Sequence, residues 1–433
     1  MHFEMDWLAD RNSPPTEELL TRCRLSLTLN SQQLFRYEDL LGEHQVKDAL
    51  VVSVYPLALW FTANWWRLRW EPGLLSNATG NEHDWNMSHR LAAAGNGYAW
   101  PNLTFISDGE NIHLDLQPDG ESSGPVRYIE RQDAWVAAET YEACIDQLVQ
   151  QTLRQLDGAC EQTQLQELWH ILSEERGNPA MALLRQLEAR LGYDPEEAPQ
   201  SLLNRLTTLM AGHGEAAIQE LANLGHGQVE HTIEDIEQRL AGTSEAIKLP
   251  LKNLAKAEQL ITGSRPWAMG YEAAKKLRKQ LALDAGPLGN RRFTELLEAP
   301  VQLLEDSDVK QAMPIGIGEI AAGDRAKVSL GKKRKDARRF MAARLIAEGL
   351  NGGGAGHWLP CTNAATARQK YQRAFAQEFL CPYQDLIGWM DTTSPEEELL
   401  QAAAEHFEVS PLLINNVMVN HGHISRASVG VFQ

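Results

Sequence analysis

Apolar residues recur along this chain at two different periods, and the period changes near residue 135. Upstream, apolar and polar positions alternate. Cys23 to Glu38 and Asp48 to Tyr55 read as strands or a hairpin on that basis. Asn102 to Ser107 and Asn111 to Leu116 flank Asp108-Gly-Glu, a turn signal that predicts a β-hairpin, and Val126 to Arg131 adds a further strand. Between these segments Leu57 to Trp70 is almost continuously apolar. Pro56 opens it and Pro72 stops it, so a helix is expected.

Downstream the spacing becomes three and four. Ala137 to Leu156, Leu165 to Leu172, Ala180 to Leu191, Leu202 to Leu209, Ala216 to Leu224 and Val229 to Leu240 all carry a helical stripe, separated by Gly and Pro turns. From about Leu249 a mixed region follows. Ala326 to Leu330 has strand character, and Lys332 to Arg339 is a basic link. Phe340, Ala343, Ala347 and Leu350 then give a helix one inward face. Asn351-Gly-Gly-Gly-Ala-Gly356 reads as a helix stop and connector, and Ile315-Gly-Ile-Gly318 as a turn. Thr366-Ala-Arg-Gln369 has capping-box spacing, and Ser394-Pro-Glu-Glu397 and Ser410 start further helices. The pattern predicts an α+β, mostly helical protein in three parts: a Trp-rich α+β domain at 1–135, a helical linker or bundle at 136–250, and a third domain at 251–433.

The length, 433 residues, suits two or three domains, and 43% hydrophobic with 23% charged residues suits real cores. The formal charge of −18 weighs against general binding to nucleic acid or anionic membranes. The most apolar run, Leu50 to Leu68, is broken by Pro56, Asn64 and Arg67, so no membrane span is expected. Five cysteines without paired CxxC spacing and the lack of a basic-then-apolar leader point to a reducing, cytoplasmic setting.

Two features depart from this background. Six of the twelve tryptophans lie between residues 60 and 100, either as the core of a buried helix or as a recognition surface built on Trp65, Trp70, Trp85 and Trp100. Asp324 to Arg344 holds nine basic residues against two acidic ones. Lys332, Lys333, Arg334, Lys335, Arg338, Arg339 and Arg344, with Arg368, Lys370 and Arg373 nearby, are binding candidates for phosphate, nucleic acid or an acidic partner surface. The bland alternative is a solvated connector paired with the protein's own carboxylates. His83, Asp84 and His89 match no metal template, and His357 with Cys361 lacks the third group of a nucleophilic site. Pro411 to Asn420 carries no Arg or Lys, which weighs against DNA reading there.

The strand, the basic link and a helix opening Arg339-Phe340 resemble the core of the ImmA/IrrE metallo-endopeptidases, which continue Arg-Phe-x-x-Ala-His-Glu-x-x-His. Phe375, Ala376, Glu378, Leu380 and Pro382 resemble that family's next helix, Pro266 to Leu288 its opening helix and turn, and Ala402 to Gly422 its closing helices. The resemblance covers about 265–425 and implies a zincin-like domain. It places Arg344 and Glu348 where the family has its two histidine ligands, Leu345 where it has the catalytic glutamate, and Gln369 at the third ligand. A guanidinium does not give up its proton to bind a metal, and leucine takes no proton from water. Arg344 and Glu348 have instead the spacing of an i,i+4 ion pair on a solvated helix, and Gln369 that of a cap.

No catalytic residue, metal or cofactor is therefore expected. The resemblance implies a regulatory pseudopeptidase that binds a protein partner, with a co-encoded one among the options, in stress response, mobile-element control or phage defence. Two alternatives stay open. One is a zinc endopeptidase with displaced ligands such as Glu348, His357 and Glu378. The other, weaker, is nucleic-acid binding through Lys332 to Arg339.

Overall fold

The computed structural model describes residues 1–8, 16–41, 44–74, 82–120, 124–160, 162–249, 265–307, 313–321, 323–392 and 396–424. They form two compact units, 1–203 and 204–433, and the fold is α+β and mostly helical. One boundary near residue 203 thus stands where the pattern drew two, near 135 and 250. The helices expected as one middle element are shared between the units. Among the described residues no helix is long and apolar enough to cross a membrane.

Unit 1 opens with β1 (His2–Trp7), α1 (Glu17–Leu20), β2 (Arg22–Leu29), β3 (Gln32–Gln33), β4 (Tyr37–Asp39), β5 (Val46–Lys47) and β6 (Leu50–Ser53). β2 pairs antiparallel with β1, β3 and β6, in a register that sets Leu27 opposite Phe3 and Leu25 opposite Leu50. Next come α2 (Tyr55–Ala63), α3 (Trp65–Trp70) and α4 (Glu82–His89). The expected single helix over 57–70 is broken at Asn64, whose Nδ2 donates back to Trp60 O (2.9 Å). Such a local side-chain bond competes with the helix ladder. β7 (Leu103–Ser107) and β8 (Asn111–Leu116) form the predicted hairpin; β9 (Val126–Tyr128) pairs with β4, and β10 (Gln132–Ala137) with β8. Helices α5 (Ala138–Leu156), α6 (Gln164–Gly177) and α7 (Pro179–Leu191) complete the unit. Phe61 is at the centre of its core, edge-on to Phe3 (6.1 Å) and Phe105 (5.6 Å).

α8 (Gln200–His213) crosses the boundary. Unit 2 continues through α9 (Glu215–Ala222), α10 (His226–Gly242), β11 (Ala246–Lys248), α11 (Pro266–Gln280), α12 (Asn290–Leu296), β12 (Gly316–Ile320) and β13 (Arg325–Ser329). It ends with α13 (Lys335–Leu350), β14 (Trp358–Cys361), α14 (Ala367–Leu380), α15 (Tyr383–Met390), α16 (Glu397–Phe407) and α17 (Pro411–Asn420). Ser394 and Pro395 of the expected cap before α16 lie outside the described residues.

The four strands form one antiparallel sheet in the order β11-β13-β12-β14. β12 contains Gly316 and Gly318, so the segment read as a turn is an inner strand. Gly316 is there because α13 lies directly on it. A Cβ at Gly316 would fall 2.3 Å from Met341 Sδ, and one at Gly318 would fall 3.4 Å from Leu345 Cδ2. α13 is accordingly buried from Met341 to Leu350, not along one face as the pattern predicted, while Phe340 is only half-buried. A helix packed on all sides shows no single apolar stripe. α14 covers its other side and is itself crossed closely by α11, where a Cβ at Gly270 would meet Tyr371 O at 2.5 Å.

Candidate functional site

Where α13 packs against α14, side chains from both helices form one polar cluster in unit 2. From α13 come Arg344, 3% exposed, and Glu348, fully buried. From α14 come Arg368, Gln369, Gln372 and Arg373. The cap of α14 is half of the predicted box: Gln369 N donates to Thr366 Oγ1 (3.2 Å). The Gln369 side chain does not return the bond. Its Oε1 accepts from Arg344 Nη2 and from Thr362 N (2.9 Å), and its Nε2 donates to Pro360 O (3.2 Å). A buried guanidinium without a carboxylate draws neutral acceptors to itself, and that demand outweighs the local cap.

Arg344 Nη2 also donates to Thr362 O (2.7 Å) and Gln372 Oε1 (3.2 Å), while its Nε is buried without a partner. Gln372 bridges onward: its Nε2 donates to Glu348 Oε2 (2.6 Å). Glu348 Oε1 accepts from Arg368 Nε (2.7 Å) and Nη2. The i,i+4 pair expected between Arg344 and Glu348 is therefore replaced by two separate arrangements, because neither group is solvated and each takes its partner from α14. Burial pushes the Arg344 guanidinium down. It also opposes the charge on Arg368, but the Glu348 carboxylate outweighs it and holds Arg368 above its ordinary value. Leu345 is sealed against β12.

One further carboxylate reaches the site. Glu220 of α9, 4% exposed, accepts from Thr366 Oγ1 (2.9 Å) and Thr362 Oγ1 (3.3 Å). Sequence reasoning passed over it. The signal was its place on α9 among the inward-facing Ala217, Ile218 and Leu221, where a carboxylate needs a reason.

The basic run is not one surface. Arg338 and Arg339 are buried: Arg338 donates to Leu303 O (2.9 Å) and Lys332 O (3.0 Å), and Arg339 to Asn290 Oδ1 and Leu288 O (2.5 Å). Lys335 pairs with Glu408 (2.8 Å) and Arg334 with Asp336 (2.9 Å). Lys333 is exposed, and Lys332, Lys370 and Arg373 are half-buried. Glu348, His357 and Glu378 do not converge. Glu348 is held by Arg368, His357 Nδ1 accepts from Gly354 N (3.1 Å), and Glu378 accepts from Tyr383 N (3.2 Å). Cys361 is fully buried, and burial pushes its thiol up to about 12, far from a thiolate nucleophile.

In unit 1 the four candidate tryptophans pack inward. Trp65, Trp85 and Trp100 are buried, and Trp70 is half-buried between the guanidinium groups of Arg69 (3.8 Å) and Arg190 (4.8 Å). Trp85 Nε1 donates to Pro72 O (3.2 Å) and Trp100 Nε1 to Gly95 O (3.1 Å), so their polar handles are used internally. A recognition surface on these four is thereby corrected. Beside them Arg67, 2% exposed, grips Glu71 (2.7 Å), Asp84 (2.9 Å) and Asp194 (3.4 Å). His89 stacks on Trp85 (4.2 Å) and donates from Nδ1 to Trp85 O (2.9 Å), leaving Nε2 buried without a hydrogen bond.

Comparison of the chain with family models, with curated proteins and with solved structures finds no match in any of the three.

Proposed function

We propose that residues 265–424 are a non-hydrolytic domain of the ImmA/IrrE type, which acts by binding a protein partner in a regulatory setting such as stress response, mobile-element control or phage defence. The observation that carries this reading is the convergence of Arg344, Glu348 and Gln369. These positions lie up to 25 residues apart: Arg344 bonds both Gln369 and Gln372, and Gln372 in turn reaches Glu348. That is where the resemblance would gather metal ligands. Here the same place holds two guanidinium groups, two amides and one carboxylate, cross-linked to one another. Freeing Glu348 to bind a cation would strip Arg368 of its buried partner, at a cost of about 3–5 kcal/mol. Leu345 offers no base to activate water.

Elemental analysis of the purified chain, dialysed with and without chelator, tests the reading. Metal well below one equivalent in both samples is the expected result. About one zinc per chain, lost to chelator together with proteolytic activity, would overturn it. On the partner side, a co-encoded protein is expected to co-elute with the full chain as a stable complex in size-exclusion chromatography.

A further inference from the structure

The basic residues of 325–344, with Arg368 and Arg373, separate into two groups. Arg325, Arg334, Lys335, Arg338, Arg339 and Arg368 each have a carboxylate within 4 Å, and Lys327 and Lys333 are exposed to water. Lys332, Arg344 and Arg373 have neither. Among the described residues each bonds only to neutral oxygens. Lys332 Nζ donates to Pro314 O (2.8 Å), Arg373 Nη2 to Ala364 O (3.1 Å), and Arg344 to Thr362, Gln369 and Gln372. We infer that these three side chains bind the terminal phosphate of a phosphate monoester. This deepens the reading of the domain as a binding module and rests on it.

Charge balance is the first argument. The three meet at one end of the sheet: β12 pairs with β14 with Gly316 opposite Cys361, so Pro314 O, Thr362 O and Ala364 O, the acceptors of Lys332, Arg344 and Arg373, lie just beyond that pair. Burial, and after it the charge of Arg344, pushes Lys332 down and pushes Arg373 down to about 10. Among the described residues the carboxylates facing the group are Glu220 and Glu348. Glu348 is neutralised by Arg368, and Glu220 is held by two threonine hydroxyls. Three cations against Glu220 leave a surplus of two positive charges. A phosphate dianion cancels that surplus, whereas a carboxylate or a phosphodiester, each a monoanion, cancels half.

Unused donors are the second argument. Arg344 is nine-tenths buried or more, and among the described residues its Nε has no acceptor. An unmet donor on a buried cation is a cost that an oxyanion removes, since phosphate accepts from several guanidinium hydrogens at once. Access is the third. Arg344 is deep, while Lys332 and Arg373 are half-buried and reach water. A terminal phosphoryl group enters such a site end-on. A diester, carrying chain on both sides, does not, which separates this site from nucleic-acid backbone binding.

The test is isothermal titration calorimetry on the full chain at constant ionic strength near pH 7.5, with inorganic phosphate, acetate and dimethyl phosphate as probes. Expected are saturable one-site binding of phosphate, affinity at least about tenfold weaker for the other two, and about a tenfold loss of phosphate affinity in each of Lys332→Gln and Arg373→Gln. Lys332→Gln changes a half-buried residue of a connecting link. Its thermal unfolding, matched to the parent, shows that lost binding is not lost folding. Absence of saturable phosphate binding overturns the inference, as does equal binding of dimethyl phosphate or acetate, or unchanged affinity in both variants. Metal content decides the function reading and phosphate titration decides this one, so each fails separately.

Discussion

Each unit buries a guanidinium among side chains from different helices, but the two clusters have opposite charge balance. In unit 1, Arg67 faces three carboxylates, Glu71, Asp84 and Asp194, the latter two 56% and 47% exposed. The cation is saturated, and the excess negative charge is shared with water. In unit 2, Arg344 faces amide and carbonyl oxygens and shares its surroundings with Lys332 and Arg373. Geometry of the same kind thus serves two ends. A saturated cluster cross-links helices and asks for nothing more, while a cluster with surplus charge and an unused donor is complete only with an anion.

Removing the cation from each cluster should give the sharpest contrast. Arg67→Leu leaves Glu71 buried and unpaired, and is expected to cost about 3–5 kcal/mol. Urea unfolding followed by tryptophan fluorescence reads this, because nine of the twelve tryptophans lie in 1–203. Arg344→Leu removes a repelled cation and leaves only neutral acceptors unmet. Its expected cost is smaller, about 1–3 kcal/mol, read by circular dichroism during urea unfolding. A loss as large as that of Arg67→Leu would show that the two clusters are not different in kind.

The third effect is pH dependence in unit 1. Burial lowers His89 to about 3, with the charge of Arg67 adding to it. A histidine depressed in the fold binds its proton more readily when unfolded. Stability is therefore full above about pH 6.5 and is lost as pH falls toward 3, by up to about 1.4 kcal/mol per pH unit. His89→Phe keeps a ring on Trp85 and should flatten that acid limb in unfolding measured between pH 4 and 7; an unchanged limb would assign it to other groups. Smallest is Arg334→Gln. Arg334 is 75% exposed and pairs with its near neighbour Asp336, so a change under about 0.5 kcal/mol is expected in the same urea assay.

Much of the scaffold was legible. The three-to-four spacing located the helices from α5 to α10, and the Asp108-Gly-Glu turn marked the β7–β8 hairpin. Glycine hid β12: Gly316 and Gly318 carry no side chain to alternate, and the need for Gly316 is visible only in Met341 lying on it. Leu57 to Trp70 hid its break in the same way, since Asn64 is one polar residue in an apolar run until its side chain is seen turning back to Trp60.

By itself the sequence determined the chemical identities of Arg344, Leu345, Glu348 and Gln369, whose donor and acceptor properties follow without coordinates. It determined the helical stripes and the local excess of positive charge. Only the tertiary structure decided which of those charges are used. Partner choice depends on what other elements bring within 3 Å, and that is long-range: Glu348 takes Arg368 from α14 and not Arg344 one turn away, Glu220 arrives from α9, and Lys332, Arg344 and Arg373 are left with neutral oxygens. Periodicity tells which way a side chain points; what it meets there is set by packing.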